Sequence, residues 1–225
     1  MMKKINLKTQ AYITIKQKIA TCEYAPGTFL SEELLVEELK ISRTPIRDAL
    51  GRLEQEGLLE IRPKKGITVT PLSIKDVTMI FEIRKLYEPY IIKNYGSALD
   101  EGVLHKFCED FSLTNKSSEW FKDNLTFYSL DTSFHQMIVN ACQNIYLCQN
   151  YELIQTHNER FRFMTGNLSP QRLKDTLQEH LSIINACLKK DWEDASQTLS
   201  YHLEQSKQAA FRLIFDSPGN NHITL

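Results

Sequence analysis

Apolar residues recur three and four positions apart along most of this chain, and the stretch where that period gives way to alternation marks its organisation. Residues 8–22 carry Tyr12, Ile15, Ile19 and Cys22 at helical spacing, and a turn follows at Ala25-Pro26-Gly27. Ser31, followed by Glu32 and Glu33, predicts the cap and first turn of a second helix running to about Leu39. After the connector Lys40-Ile41-Ser42, the stretch ISRTPIRDALGRLEQEGLL predicts a third helix. Ser42 or Thr44 caps it, and Pro45 is tolerated in a first turn whose amides lack partners anyway. Ile46, Ala49, Leu50, Leu53 and Leu58 form its buried stripe, and Gly57 ends it.

Alternation then takes over. Leu59-Glu60-Ile61 and Ile67-Thr68-Val69-Thr70 flank Arg62-Pro63-Lys64-Lys65-Gly66, which predicts a hairpin with a basic tip. From Ser73 onward helical spacing returns, with helices expected over 74–95, 100–113, 119–143, 146–165, 170–189 and 191–214. Residues 113–124 leave room for one short further helix, and the tail 215–225 is expected to fray. The predicted fold is mainly α. An N-terminal winged helix-turn-helix domain, 1–72, precedes a C-terminal all-α bundle of six or seven helices, 73–214.

Composition removes several classes of function. No run has the apolar length of a membrane span, and the opening MMKKINLKTQAY lacks the apolar core of a signal peptide. Five scattered cysteines without a CxxC spacing read as small buried side chains in a reducing cytoplasm, where the protein is expected to reside. The net charge of −1 conceals an asymmetry, because residues 1–70 hold 12 Lys/Arg against 9 Asp/Glu while the remainder is acidic. A basic first third suits a module that binds a polyanion.

Arg43 and Arg47 sharpen that reading. They share one face of the first turn of the third helix, beside the positive end of its dipole, where cations are locally unfavourable. In a winged helix-turn-helix this end enters the major groove, so both arginines are placed for phosphates and guanine edges. The alternative is a solvated face paired with Asp48 or Glu54.

In the second region the informative residues are polar ones on apolar stripes. Asp131 and His135 lie one turn apart between Tyr128 and Ile138, His180 lies between Leu177 and Ile184, and His202 lies between Leu199 and Ser206. Three helices thus each turn a histidine inward, and one adds a carboxylate. A divalent cation would satisfy all four together, and the donor set suits Zn, Ni, Mn or Fe better than Ca or Mg. Separately satisfied core histidines are the alternative. Arg84 follows Val77, Ile80 and Phe81 on an apolar stripe, placed either to hold an effector carboxylate or to pair with Glu82 or Glu88. His157, between Leu153 and Phe161, is a second pocket-lining candidate.

PGTFLSEELLVEELKISRTPIRDALGRLEQEGLLEIRPKKGITV resembles the DNA-binding domain of GntR-family bacterial transcription regulators. The resemblance implies operator contacts from Arg43, Thr44 and Arg47, a minor-groove approach at Gly66, and phosphate contacts from Lys64 and Lys65. Lys40 stands where the family usually has glycine, and Gly51 interrupts the third helix at a cost of about 1 kcal/mol relative to alanine. Residues 75–207, through FEIRKLYEPYI, DTSFHQMIVNACQN, EHLSIINACLKKDWEDA and His202, resemble the FCD effector domain of the FadR subfamily. This implies a divalent metal on Asp131, His135, His180 and His202. It also implies a homodimeric regulator, most often a repressor, that binds palindromic double-stranded operator DNA and answers to a small carboxylate effector. A metal-dependent all-α enzyme and a DNA-binding dimer with neither metal nor ligand are the competing readings.

Overall fold

Asn6 caps the first helix, α1 (Leu7–Ala20), by accepting a hydrogen bond from the Lys8 amide. The computed structural model describes residues 6–63, 66–116, 124–168, 170–215 and 223–224. Its two compact units are Met1–Ser73 with Pro218–Leu225, and Ile74–Ser217.

In the first unit, α1 is followed by β1 (Phe29–Leu30), α2 (Glu32–Leu39), α3 (Arg43–Gln55), β2 (Leu59–Arg62) and β3 (Gly66–Val69). Ser31 caps α2 as expected, its hydroxyl accepting from the Leu34 amide at 3.1 Å. Lys40 ends α2 in the left-handed region at φ 57, which explains the glycine usual at this position and marks the strain a lysine accepts there. Three antiparallel strands form a sheet in the order β1-β3-β2, with Ile61 opposite Ile67 in the hairpin. The pairing of Phe29–Leu30 with β3 was not legible as a strand, because two residues carry no period. Ile15, Ile19, Leu35, Ile46 and Leu53 are wholly buried together at the centre, each contributing on the order of 1.5–3 kcal/mol of apolar burial. The unit is a winged helix-turn-helix.

The second unit is helical. It contains α4 (Ile74–Tyr95), a short 3-10 turn at Gly96–Ala98, α5 (Glu101–Lys116), α6 (Asn124–Asn140), α7 (Ile145–Leu168), α8 (Pro170–Leu188) and α9 (Trp192–Phe215). Residues 117–123 lie outside the described residues, and with them the choice between six and seven helices. The break expected over Gly166–Pro170 falls between the end of α7 at Leu168 and the start of α8 at Pro170. Phe111, Phe134, Leu177, Ile184 and Leu199 belong to one buried cluster drawn from α5, α6, α8 and α9. A second cluster joins Ile91, Val139 and Tyr151. Outside this bundle, β4 (Leu72–Ser73) pairs in parallel with β5 (Ile223–Thr224), which falls within the tail expected to fray.

Candidate metal centre and nucleic-acid interface

Helix α6 places Asp131 and His135 one turn apart on its buried face, α8 contributes His180, and α9 contributes His202. One ligand atom from each lies within 4.8 Å of the other three, and all four residues are buried. His180 Nε2 stands 3.3 Å from His135 Nε2 and 3.3 Å from Asp131 Oδ1. The rings of His180 and His202 have centroids 4.6 Å apart at a tilt of 50°, and those of His135 and His202 stack at 5.1 Å.

Burial comes first among the causes that push His135 and His180 well below the ordinary imidazole range, and the guanidinium of Arg162 adds to it at both. Burial also lowers His202, against the opposing pull of Glu179. Three neutral imidazoles are what a cation requires.

Two carboxylates fix which nitrogen each ring offers. Glu88 Oε2 lies 2.6 Å from His135 Nδ1, and Glu179 Oε2 lies 2.6 Å from His202 Nδ1. A carboxylate only accepts, so both Nδ1 atoms carry the proton and both Nε2 lone pairs are left for the centre. Asp131 Oδ1 adds a further acceptor there. His180 can bring at most one proton among these atoms, so the convergence holds more lone pairs than donors, and a cation would satisfy them. The donor set of one carboxylate oxygen and three imidazoles fits a transition-metal ion.

The carboxylates are themselves held. Burial alone would raise the Glu179 carboxyl, but hydrogen bonds from His202 and Arg172 outweigh it and hold the group at about 2. Arg172 grips Glu179 in a two-pronged pair at 2.6 and 2.7 Å. Arg84 Nε donates to Glu88 Oε1 at 2.6 Å, where the Tyr151 hydroxyl also donates at 2.8 Å. Arg162 Nε lies 2.6 Å from Asp131 Oδ2, a close charge contact.

Arg84 therefore takes the alternative weighed for it. Its guanidinium is wholly buried, pairs with Glu88 one turn on in the same helix and donates to Asn158 Oδ1 at 2.9 Å, so it stands behind His135 as a support. His157 is partly buried on α7 and is not among the four clustered residues. Sequence reading named Glu88 only as a partner for Arg84, and missed Glu179, Arg162 and Arg172. Only Glu88, four positions beyond Arg84, and Glu179, adjacent to His180, carried a local hint.

On the first unit, Arg43 and Arg47 are exposed at the start of α3, and Thr44 is exposed beside them. Their partners come from α2. Arg47 Nε donates to both Glu32 oxygens at 2.8 and 2.9 Å, and Arg43 Nη2 lies 3.3 Å from Glu33 Oε1. The alternatives expected from sequence are engaged elsewhere, Asp48 with Lys8 and Glu54 with the Ile61 amide. These acids offset the cost of two cations beside the helix dipole. Gly66 opens β3 at φ +97 with the Phe29 ring over its Cα, and a Cβ there would stand 2.1 Å from that ring. The exposed Phe29 ring could swing aside, but the positive φ would strain any residue with a side chain. Lys64 and Lys65 lie outside the described residues.

Residues 7–69 match the family of bacterial regulatory proteins called gntR, and residues 79–205 match the FCD domain. The chain belongs to the GntR family. It is a DNA-binding transcription regulator with an FCD domain. It is 27% identical over 201 residues to the HTH-type transcriptional repressor RspR of Escherichia coli K12, covering 89% of this chain and 87% of that one. It is 28% identical over 174 residues to the gluconate operon transcriptional repressor of Bacillus licheniformis, covering 76% and 68%. Among solved structures, E. coli McbR/YncC matches with a TM-score of 0.79 at 20% identity over 92% of this chain and 98% of that one. A GntR regulator from Rhodococcus sp. RHA1 matches at 0.78 and 16% identity, over 91% and 97%. Both share the fold. Among the described residues no helix is long and apolar enough to cross a membrane.

Proposed function

We propose that residues 1–72 bind a palindromic operator and residues 73–214 form a metal-dependent sensor of a small carboxylate, acting as a homodimeric repressor. The observation that carries the sensor reading is the convergence of Asp131, His135, His180 and His202, with two imidazoles oriented from behind by Glu88 and Glu179. These four residues would hold a divalent ion of zinc, nickel, manganese or iron, which supplies a positive charge with open positions for an anion. Arg43, Thr44 and Arg47 would read the operator, with Gly66 approaching the minor groove and Lys64 and Lys65 on phosphates.

A homodimer supplies two half-site readers, since an inverted repeat mirrors protein two-fold symmetry. The exposed apolar residues Met79, Leu86 and Tyr90 on α4 offer a face for self-association. The effector loosens operator binding by favouring one dimer geometry, because a ligand with equal affinity for both states shifts nothing.

Metal analysis of the purified protein beside His135→Ala tests the sensor. Stoichiometric metal that is lost in the variant supports it, and wild-type protein that takes up no metal contradicts it. Gel shifts with metal-loaded protein test the response, and an effector that tightens the complex reverses the proposed sign. Turnover of a carboxylate by the loaded protein would favour the enzyme reading instead.

A further inference from the structure

Two of the cysteines meet where α6 passes into α7. Cys142 follows the last turn of α6, and Cys148 lies in the first turn of α7. The connection between them is tight. Gln143 turns the backbone at φ 50, and the Asn144 side chain caps α7 by accepting from the Tyr146 amide at 3.0 Å. Both cysteines close on the same few atoms. The Cys142 amide donates to the Val139 carbonyl at 3.3 Å, and the Cys148 thiol stands 3.9 Å from that same oxygen. The Asn144 amide lies 3.4 Å from Cys142 Sγ, while the Asn144 carbonyl accepts from the Cys148 amide at 3.0 Å. Both side chains pack in the cluster of Ile91, Val139 and Tyr151.

Access separates the two sulfurs. Cys142 is buried, whereas Cys148 is half-buried. A small oxidant therefore reaches Cys148 first, and Cys142 reacts only from within the protein. Burial, and then the neighbouring Cys142 thiol, raise the Cys148 thiol above its ordinary range. That slows the first step and suits a pair that answers to an abundant oxidant rather than a trace of one.

We propose that Cys142 and Cys148 form a modification site at which a hydroperoxide closes a disulfide across the α6–α7 connection, Cys148 attacking and Cys142 resolving. With hydrogen peroxide, the Cys148 thiolate bonds to one oxygen and the O–O bond breaks. The product is a sulfenic acid, and the departing hydroxide takes up the thiol proton as water. The Cys142 sulfur then bonds to the sulfenic sulfur, the S–O bond breaks, and the hydroxyl leaves with the Cys142 proton as a second water. Two thiols are oxidised and one peroxide is reduced. The bond fastens the end of α6, beyond His135, to α7 one turn before Tyr151, whose hydroxyl donates to Glu88. No step needs a metal.

The test treats the full chain with hydrogen peroxide in the presence of a chelator, then alkylates the remaining thiols and digests without reductant. The tryptic peptide that holds both cysteines is expected to be about 2 Da lighter than its dithiol form, and dithiothreitol is expected to restore it. Chymotrypsin cuts after Tyr146, between the two cysteines, and should leave fragments joined only by the disulfide. Cys142→Ser is expected to stop at a sulfenic acid that dimedone traps on Cys148, and Cys148→Ser to leave Cys142 a thiol. The wild-type digest decides even if a variant fails to fold. Cys148 that advances to sulfinic acid beside an unreacted Cys142 overturns the proposal, as do two intact thiols after excess peroxide. A disulfide that joins two chains through these residues, or that pairs either with Cys22, Cys108 or Cys187, also overturns it.

Discussion

Guanidinium–carboxylate pairs occur in both units of this protein, and they serve opposite ends. On the winged unit, Arg47 pairs with Glu32 and Arg43 with Glu33 at the surface, where the arginine side chains are 64% and 61% exposed. In the helical unit, Arg84 pairs with Glu88 at 0% exposure for both. An exposed pair is worth roughly 0–1 kcal/mol because water and salt screen it, so its arginine can trade a carboxylate for a phosphate or a guanine edge at little cost. A buried pair cannot make that trade. Its partners have lost their hydration and depend on each other, which makes it a fixed scaffold for the histidine behind which it stands.

Removing a buried partner should have the largest effect. Arg84→Ala leaves the Glu88 carboxylate buried without its cation, and should cost about 3–5 kcal/mol in urea unfolding. A loss within the range of an exposed pair would place Arg84 outside the scaffold.

Acid separates the chamber from the surface pairs next. The folded-state values of His135, His180 and His202 lie below their ordinary range. The unfolded chain therefore takes up protons first. Stability of the metal-free protein is full above about pH 6.5 and falls on acidification, by up to about 1.4 kcal/mol per pH unit for each histidine. Urea unfolding of chelated protein between about pH 7 and pH 5 measures this. A flat profile would mean that the histidines are hydrated.

Glu179→Gln removes the charge that anchors His202 without removing bulk, and should lower zinc affinity by about 10–100-fold in a chelator competition. Equal affinity would reduce Glu179 to a packing residue. At the surface, Arg47→Ala should weaken cognate operator binding by about 1–3 kcal/mol while leaving stability within about 0.5 kcal/mol. If unfolding suffers and binding does not, the two kinds of pair are not distinct after all.

The smallest effect is expected at Gly51, whose missing Cβ would meet nothing within 4 Å. Gly51→Ala should stabilise α3 by about 1 kcal/mol. A simultaneous loss of operator affinity would mark this face of the helix as one that approaches DNA closely.

Sequence alone determined the elements and the two kinds of stripe. Helical spacing, Ser31, Gly57 and the alternating runs around Pro63 are local signals, because capping, turn chemistry and side-chain period act within a few residues. The same periodicity turned Asp131, His135, His180 and His202 inward as candidate ligands of one cation, and the family resemblance implied the same four. The tertiary structure decided the partners. Nothing local assigns Glu88 to His135, 47 positions away, or Arg162 to Asp131. It likewise took the folded chain to join Arg84 to Asn158 on another helix, and to pair Arg47 with Glu32 rather than Asp48. Periodicity tells which face a side chain occupies, but the identity of the group opposite depends on helix packing across long stretches of chain, and charge pairing is resolved only there.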